Sequence, residues 1–242
     1  MGRLLSLLLL VSSSAIADPT LLLDSGEERV RLIELYTSEG CYSCPPADRW
    51  MSGLKEDPRL WREVVPVSFH VDYWDYIGWP DRFASPEYSS RHRNYRLKGT
   101  VSSVYTPGLI LDGMEWQAWF RNKRIPDNAT RPGGRLRVAV EDETAKATYR
   151  SKEEKGAITL HLAILGFSLS TEVGAGENDG KRLEHDFVVL GYDSRPMIAQ
   201  GNSHMLDMPL PEPRFPSARA ALAVWTTVDD DPRPVQATGG WL

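Results

Sequence analysis

The sequence predicts an α/β fold with a β-rich C-terminal part. An alternating apolar segment runs directly into a Cys-x-x-Cys motif, and a helix-like stretch and a second apolar segment follow the motif. Beyond about residue 134 the pattern changes to short strand-like segments separated by Gly, Pro and Asp. The chain has 242 residues, enough for one large domain or two small ones with a substantial core.

The N-terminal half is predicted to form a β-α-β unit followed by a β-hairpin. Proline suits the first turn of the first helix because the backbone N–H that it lacks has no intrahelical acceptor there. The predicted elements are a strand over residues 30–37, a helix from Pro45 or Pro46, a strand over residues 64–71, a helix over residues 86–97, and a strand over residues 109–111 that turns at Asp112 and Gly113.

An aromatic segment, residues 72–83 (DYWDYIGWPDRF), is inserted after the second strand of this unit. Aromatic side chains bury large areas, and Tyr and Trp carry a polar atom that needs a partner or water. The segment is therefore interpreted either as a packed cover over the sheet or as a substrate groove. Trp74 and Trp79 are the groove candidates within it.

The first residues resemble a secretory signal peptide. Arg3 precedes an apolar run that is too short to cross a bilayer, and Ala15 and Ala17 form a small-residue cleavage pattern. We expect cleavage after Ala17, a secreted or periplasmic product and no membrane insertion after cleavage. The predicted organisation is a signal peptide over residues 1–17, a domain over residues 18–125, a linker over residues 126–134 and an antiparallel β-rich subdomain over residues 135–242.

In the C-terminal part, residues 135–147 are ambiguous between helix and strand, and strands are predicted over residues 157–165, 187–192, 220–227 and 233–237. Charged residues also crowd a Gly-rich turn: Glu177, Asp179, Glu184, His185 and Asp186. This turn lacks the ordered carboxylate loop of an EF-hand, so the sequence favours solvated hairpin charges over a cation site.

Cys41 and Cys44 are the two cysteines of the chain and define a candidate redox site. Two thiols at this spacing close a small disulfide, and a helix N-terminus favours the thiolate form. Cys41 is expected to be exposed and to attack a substrate disulfide, after which Cys44 resolves the mixed disulfide. Tyr42 and Ser43 lie between them and are expected to border the substrate groove.

Composition limits the partners of such a site. The formal net charge is −5 and no basic stretch is present, so nucleic acids are disfavoured as partners. We expect protein or small-molecule thiols and disulfides as substrates and no cofactor. The sequence does not distinguish an oxidant from a reductant or an isomerase.

The order strand, Cys-x-x-Cys, helix, strand, insertion and Thr-Pro before a β-hairpin resembles the thioredoxin-like superfamily. Three phrases, ELYTSEGC-x-x-CPPAD, FHVDYWDYIGWPDRFASPEYSSR and GENDGKRLEHD, resemble more specifically the domain-of-unknown-function 1223 family of exported bacterial proteins. The resemblance implies a thioredoxin-like fold and an exported thiol–disulfide oxidoreductase. It also implies that Pro107 is a cis-proline facing the cysteines and that Thr106 presents its backbone to an extended substrate.

Several alternatives remain open at this stage. Glu34, on the strand before the motif, is a candidate proton relay because thioredoxins keep a buried acid in roughly this place. In an oxidising compartment the two cysteines could form a structural disulfide in a non-catalytic envelope-binding protein. Thiolates together with His70 could bind Cu(I) or Zn²⁺, although His70 also fits a core histidine.

Overall fold

A computed structural model describes residues 21–127, 131–153 and 156–242. The predicted signal peptide and residues 128–130 of the predicted linker lie outside these ranges. The elements of the N-terminal half are β1 (Leu21–Asp24), β2 (Arg31–Thr37), α1 (Pro45–Gly53), β3 (Val64–His70), α2 (Pro86–Leu97), β4 (Gly108–Leu111), β5 (Met114–Glu115) and α3 (Trp119–Asn122). The predicted β-α-β unit and hairpin of this half are confirmed.

The regular elements of the C-terminal half are almost all strands, and the ambiguous residues 135–147 belong to a β-hairpin. Its elements are β6 (Arg135–Glu141), β7 (Thr144–Arg150), β8 (Ile158–Gly166), β9 (Leu169–Glu172), β10 (Arg182–His185), β11 (Val188–Pro196), β12 (Ile198–Gln200), β13 (Ser203–Pro209), β14 (Ala220–Val228) and β15 (Gln236–Trp241). The strand predicted over residues 233–237 is placed too early, since β15 begins at Gln236.

Within the described residues, eight strands form one sheet in the order β15-β14-β8-β11-β3-β2-β4-β5. β3 runs parallel to both of its neighbours, β2 and β11, and the other pairs of this sheet are antiparallel. A second sheet has the order β1-β6-β7-β13-β12, and β9 and β10 form a two-stranded ribbon.

The two central strands explain why the large sheet has this arrangement. Every residue of β3 is buried, as expected for a strand that is hydrogen-bonded on both sides and covered on both faces. β2 is also buried along most of its length and alternates in its contacts. Glu34 faces α2, where it meets Arg91, and Thr37 faces α1, where it meets Asp48. The two helices therefore cover opposite faces of the β2–β3 pair.

The two larger apolar cores follow from this layering. One surrounds β2 and β3 and also takes in residues of β8, β14 and β15 such as Leu165, Trp225 and Ala237. The other fills the space between β8, β14 and the five-stranded sheet. No helix of the described residues combines the length and apolarity needed to cross a bilayer.

The predicted fold class, an α/β thioredoxin-like fold with an added β-rich subdomain, is wrong. Of the described residues, 42% are in strands and 16% in helices, so sheets dominate the fold. Strands from both sides of residues 126–134 belong to the same large sheet, because β11 pairs with β3 through Val188 and Ser68. Four strands of the β-rich part, β8, β11, β14 and β15, thus continue the first sheet. The domain boundaries drawn from the sequence stay a prediction.

Candidate functional site

The Cys-x-x-Cys loop joins β2 to α1, and a disulfide bond links its two cysteines. The Cα atoms of Cys41 and Cys44 are 5.5 Å apart, a usual separation for a disulfide. Cys44 is the N-cap of α1, and its carbonyl accepts the backbone N–H of Ala47 at 2.8 Å. The pair therefore lies at the positive end of a helix dipole, which favours a thiolate once the bond is reduced.

The disulfide is buried. Cys41 is 1% exposed and Cys44 is fully buried, whereas Tyr42 between them is 66% exposed. The Sγ atom of Cys41 lies 3.3 Å from the hydroxyl oxygen of Ser43, which is itself exposed. The expectation that Cys41 is exposed is wrong, because a segment from the C-terminal half packs on the loop.

That segment is the β9–β10 connection, residues 173–181. Its Asn178 is fully buried and donates from Nδ2 to two carbonyl oxygens of the cysteine loop, those of Glu39 at 2.8 Å and Cys41 at 2.9 Å. One side chain thus satisfies two backbone acceptors that would otherwise be buried without a donor. The contact fixes the loop from a position 137 residues away in the chain.

Two charged residues of the β9–β10 connection contact Tyr42. The Oε2 atom of Glu177 accepts the backbone N–H of Tyr42 at 2.8 Å, and the Nζ atom of Lys181 lies 4.3 Å from the centre of the Tyr42 ring. The interpretation of this turn as solvated hairpin charges is wrong for His185 and Asp186, which are 2% and 6% exposed, whereas Glu177 is exposed and also bound to the loop. These contacts join distant parts of the chain, so local sequence pattern could not reveal them.

The aromatic segment borders the same site. The Nε1 atom of Trp74 donates to the hydroxyl oxygen of Thr106 at 2.6 Å, and Nε1 of Trp79 donates to Oε2 of Glu39 at 2.9 Å. Both indoles are partly buried, and Tyr76, stacked on Trp74, is 82% exposed. The segment is therefore packed through its indole N–H groups and still presents an aromatic surface to solvent.

The Thr106–Pro107 peptide bond is cis, as the resemblance implied. Pro107 is buried and directly precedes β4, whose first residue, Gly108, pairs with Tyr36 near the end of β2. The cysteine loop leaves the sheet from that end of β2. The Thr106–Pro107 turn and the disulfide therefore lie at the same end of the large sheet.

Glu34 lies on the other face of the sheet, where it is hydrogen-bonded to two tyrosine hydroxyls and a guanidinium. It is fully buried, and its carboxylate accepts hydrogen bonds from Arg91 at 2.9 and 3.2 Å and from the hydroxyl of Tyr36 at 2.9 Å. The hydroxyl of Tyr95 donates to it as well. The structure thus places Glu34 in an ion pair with Arg91 and does not bring it to the disulfide.

A different carboxylate, Asp48, lies beneath the disulfide. It is four residues after Cys44 on α1, so the two share one face of the helix, and its backbone N–H donates to the carbonyl of Cys44 at 3.1 Å. Asp48 is 6% exposed, and its Oδ2 atom accepts a hydrogen bond from the hydroxyl of Thr37 at 3.2 Å. Burial raises the pKa of Asp48 above its ordinary value. Sequence reasoning missed this residue, although the i, i+4 spacing was a usable signal.

Two His–carboxylate pairs complete a buried ionisable cluster on the α1 face. The Nδ1 atom of His70 lies 2.7 Å from Oδ2 of Asp81, and Nε2 of His185 lies 3.4 Å from Oε1 of Glu39. Burial alone would lower the pKa of His70, but the Asp81 carboxylate raises it above the ordinary value. Burial would raise the pKa of Asp81, and His70 lowers it below the ordinary value instead. Each residue of the first pair thus favours the charged form of the other.

Glu39 shows the same opposition: burial would raise its pKa, and the imidazole of His185 lowers it below its ordinary value. Several buried polar atoms of the cluster have no hydrogen-bond partner among the described residues, namely Glu39 Oε1, His70 Nε2 and both ring nitrogens of His185. In the part of the chain that the structure describes, no three His, Cys, Asp or Glu side chains are arranged to hold a metal ion. The cluster is thus a buried set of proton-binding groups around the cysteine loop.

Comparison with solved structures finds two proteins of similar overall fold. A structural-genomics crystal structure from Agrobacterium tumefaciens has 22% identity and a TM-score of 0.56, over 90% of this chain and 96% of the other. HBP35 of Porphyromonas gingivalis has 13% identity and a TM-score of 0.59, over 90% of this chain and 76% of the other. At these identities the likeness concerns the fold alone.

The comparison with curated proteins found no match. A family model described as "Protein of unknown function (DUF1223)" matches residues 32–227, a range that includes the cysteine loop, the aromatic segment and the β9–β10 connection. The chain belongs to this family of proteins of unknown function, DUF1223.

Proposed function

We propose that this protein is an exported thiol–disulfide oxidoreductase that acts through Cys41 and Cys44. The observation that carries the proposal is the disulfide between them, formed at the N-terminus of α1 with Cys44 as its N-cap. A helix N-terminus stabilises the thiolate that forms when the bond opens, and the thiolate is the reactive species in exchange. The ionisable groups beneath the loop supply nearby sites for the protons that accompany the two electrons.

With a dithiol substrate, the exchange oxidises the substrate and reduces the cysteine pair in two steps. A substrate thiolate attacks the sulfur of Cys41, the Cys41–Cys44 bond breaks, and the Cys44 thiolate leaves and takes up a proton. The second substrate thiolate then attacks the substrate sulfur of the mixed disulfide, releasing Cys41, which is protonated in turn. The substrate loses two electrons and becomes a disulfide, and the cysteine pair gains two electrons and two protons. With a disulfide substrate the same steps run in reverse.

Burial of the disulfide favours a second candidate, a non-catalytic binding protein in which the bond is structural. Cys41 is 1% exposed, so an attacking thiolate reaches it only if neighbouring side chains move. A cavity of about 660 Å³ lies elsewhere, between the β4–β5 hairpin and residues 228–235, and would be the place to look for a ligand in that case. Asp112 and Arg233 are among the charged residues of its wall.

The two candidates differ in the reduction potential of the pair. The mature protein is equilibrated with glutathione buffers of known ratio, free thiols are trapped by alkylation, and folding is followed by circular dichroism. A potential between about −270 and −120 mV with the fold retained supports exchange, since known exchange proteins lie in this span. A potential below about −300 mV, with structure lost on reduction, assigns the disulfide a structural role. A Cys44→Ser variant that accumulates a mixed disulfide at Cys41 identifies the attacked sulfur.

Export is tested separately from chemistry. The full chain is expressed in a bacterium, and periplasmic and cytoplasmic fractions are compared by N-terminal sequencing. A periplasmic product that begins at Asp18 supports cleavage after Ala17. A cytoplasmic product that retains Arg3 overturns export while leaving the exchange chemistry of the purified protein open to measurement.

A further inference from the structure

The β9–β10 connection is built as a rigid arm that reaches the cysteine loop. Its two ends are joined by backbone hydrogen bonds, from Val173 N–H to the carbonyl of Lys181 at 2.9 Å and from Gly180 N–H to the carbonyl of Val173 at 2.8 Å. Asn178 is buried at its tip and holds two carbonyls of the loop. The side chains that follow and precede Asn178 are therefore placed at defined positions against Cys41.

Packing of Ile77 against two glycines shows that the fit is close. A Cβ atom at Gly40, next to Cys41, would lie 3.1 Å from Cδ1 of Ile77, and one at Gly176 would lie 3.0 Å from the same atom. Ile77 thus fills the space between the cysteine loop and the β9–β10 connection, and a side chain at either glycine would force it to shift. The β9–β10 connection and the aromatic segment therefore cover the cysteine loop together.

Glu177, which is exposed, occupies a backbone donor directly after Cys41. Its Oε2 atom accepts the N–H of Tyr42 at 2.8 Å, and that N–H lies between the two cysteines at the N-terminal end of α1. Backbone N–H groups at such an end stabilise negative charge nearby. A carboxylate already bound there uses this donor and adds a like charge close to Cys41.

We propose that Glu177 is a positioning residue of the redox site: held in place by Asn178, its carboxylate disfavours the Cys41 thiolate in the reduced protein and makes the pair a weaker oxidant. The proposal rests on the proposed function and deepens it, because it assigns the direction in which the β9–β10 connection biases the exchange. A substrate whose own acceptor replaces Glu177 at the Tyr42 N–H would release this restraint as it binds.

Other charged groups also face the cysteine loop, and they are shared by every variant compared below. Lys181 comes from the same connection, its Nζ atom 2.8 Å from the amide oxygen of Asn178, and its positive charge opposes that of Glu177. The remaining groups belong to the buried cluster: Glu39, Asp48, His70, Asp81 and His185. A difference between wild type and a variant at residue 177 therefore isolates the carboxylate.

The test uses Glu177→Gln, which removes the charge and keeps the size of the side chain. Glu184→Gln is the matched control, since it removes the same charge from an exposed position of β10 in the same ribbon. In a Cys44→Ser background, the rate of alkylation of Cys41 is measured against pH. With both cysteines present, the reduced fraction is measured in glutathione buffers.

For Glu177→Gln we expect the midpoint of the alkylation profile to move to lower pH, and the ratio of reduced to oxidised protein at a fixed glutathione ratio to rise about threefold, the size of a charge effect at a helix terminus. Raising the salt concentration to 1 M should shrink both differences, because the Debye length falls to about 3 Å. Glu177→Asp, which keeps the charge but withdraws it from the N–H, should give a smaller shift in the same direction. Glu184→Gln should match wild type.

Two results overturn the proposal: a Glu177→Gln profile identical to wild type, or equal shifts in Glu177→Gln and Glu184→Gln. If the wild-type disulfide never equilibrates with glutathione, the proposed function fails, yet the alkylation profile of Cys41 still tests the action of Glu177. Urea unfolding of each variant checks folding. Should Glu177→Gln unfold, the Glu177→Asp profile decides, since a shift supports the proposal and its absence contradicts it.

Discussion

The two faces of the β2–β3 pair bury carboxylates in opposite ways. On the α2 face, each oxygen of Glu34 accepts more than one hydrogen bond, and the counter-charge of Arg91 lies against it. Arg91 is in turn surrounded by ring faces, those of Phe69, Tyr95, Tyr192 and Trp225. This network is fully paired, as expected of a buried ion pair with a structural role.

On the α1 face, beneath the disulfide, the pairing is incomplete. Asp48 has a hydroxyl for a partner and no arginine or lysine among the described residues. In the same part of the chain, Nε2 of His70 and both ring nitrogens of His185 make no hydrogen bond, although Nε2 of His185 lies 3.4 Å from Glu39. Buried polar atoms without partners cost about 1 to 3 kcal/mol each, so a fold keeps them where they serve a purpose or where water reaches them. The α2 face is therefore built to stabilise the fold, whereas the α1 face keeps groups that can bind and release protons.

The largest change in stability is expected when the cation of the ion pair on the α2 face is removed. Arg91→Met leaves Glu34 charged and buried, and we expect the free energy of unfolding to fall by about 3–5 kcal/mol. Urea unfolding of the oxidised protein measures this. Arg96→Met, on an exposed position of the same helix, is the control and should change stability by less than about 0.5 kcal/mol.

Replacing both residues of the pair shows whether the loss in Arg91→Met comes from the unpaired charge of Glu34. Glu34→Leu combined with Arg91→Met removes both charges, and apolar replacements of a buried pair are often neutral or stabilising. We expect the double variant to recover most of the stability lost in Arg91→Met and to keep the wild-type equilibrium with glutathione. A double variant whose cysteine pair shifts in redox equilibrium would show that the two faces are coupled.

A smaller loss is expected from the charged pair on the α1 face. The Oδ2 atom of Asp81 accepts from His70 at 2.7 Å and from the backbone N–H of Glu39 at 2.9 Å. Asp81→Asn removes the charge that keeps His70 protonated, and we expect a loss of about 2 kcal/mol, the usual size for a hydrogen bond to a charged group. Asp230→Asn, in an exposed turn, is the control.

The pH dependence of this loss follows from the pKa of His70, which Asp81 raises. Stabilisation by a raised histidine pKa is complete below the unfolded value of about 6.5 and disappears as pH rises through the folded value. Urea unfolding should therefore show a larger difference between wild type and Asp81→Asn at pH 6 than at pH 9. An equal difference at both values would mean that His70 is neutral throughout.

Local patterns predicted local structure well. The helix predicted over residues 86–97 is confirmed at both ends, because Ser85 caps it by accepting the backbone N–H of Glu87 and Pro86 occupies its first turn. The helix after the cysteines begins at Pro45 for the same reason. Capping and proline placement are decided by a few neighbouring residues, which a single sequence contains.

Such local patterns could not predict which strands pair when they are far apart in the sequence. β11 joins β3 in a parallel pair, and the sequence between them contains other strands that could have taken that place. β15 was misplaced because Gly239 argues against a strand, yet a Cβ there would lie 2.5 Å from the ring of Trp61, so the strand needs glycine at this position. The prediction of the site was the least complete, because Asn178 and Glu177 contact the cysteine loop from more than half of the chain away.

The smallest effect concerns Asp48, a buried carboxylate with no arginine or lysine partner among the described residues but with the imidazoles of His185 and His70 nearby. Burial raises its pKa, so the folded state binds this proton more tightly than the unfolded state, and the ionised form destabilises the fold. Stabilisation from the protonated form is complete below the unfolded value, near 3.8, and is lost as pH rises through the folded value. Asp48→Asn should therefore stabilise the oxidised protein by about 1 kcal/mol at pH 8 and by almost nothing at pH 4.

Urea unfolding at the two pH values measures this difference, with Glu56→Gln, exposed just after α1, as the control for loss of a negative charge. A gain of the same size at both pH values would trace the effect to packing of the amide, and no gain at pH 8 would mean that Asp48 has a partner in solution. Since Glu34→Gln would remove a paired charge instead, it should destabilise at pH 8. The opposite signs expected for two carboxylates buried on opposite faces of the β2–β3 pair are the most direct measure of how differently those faces are built.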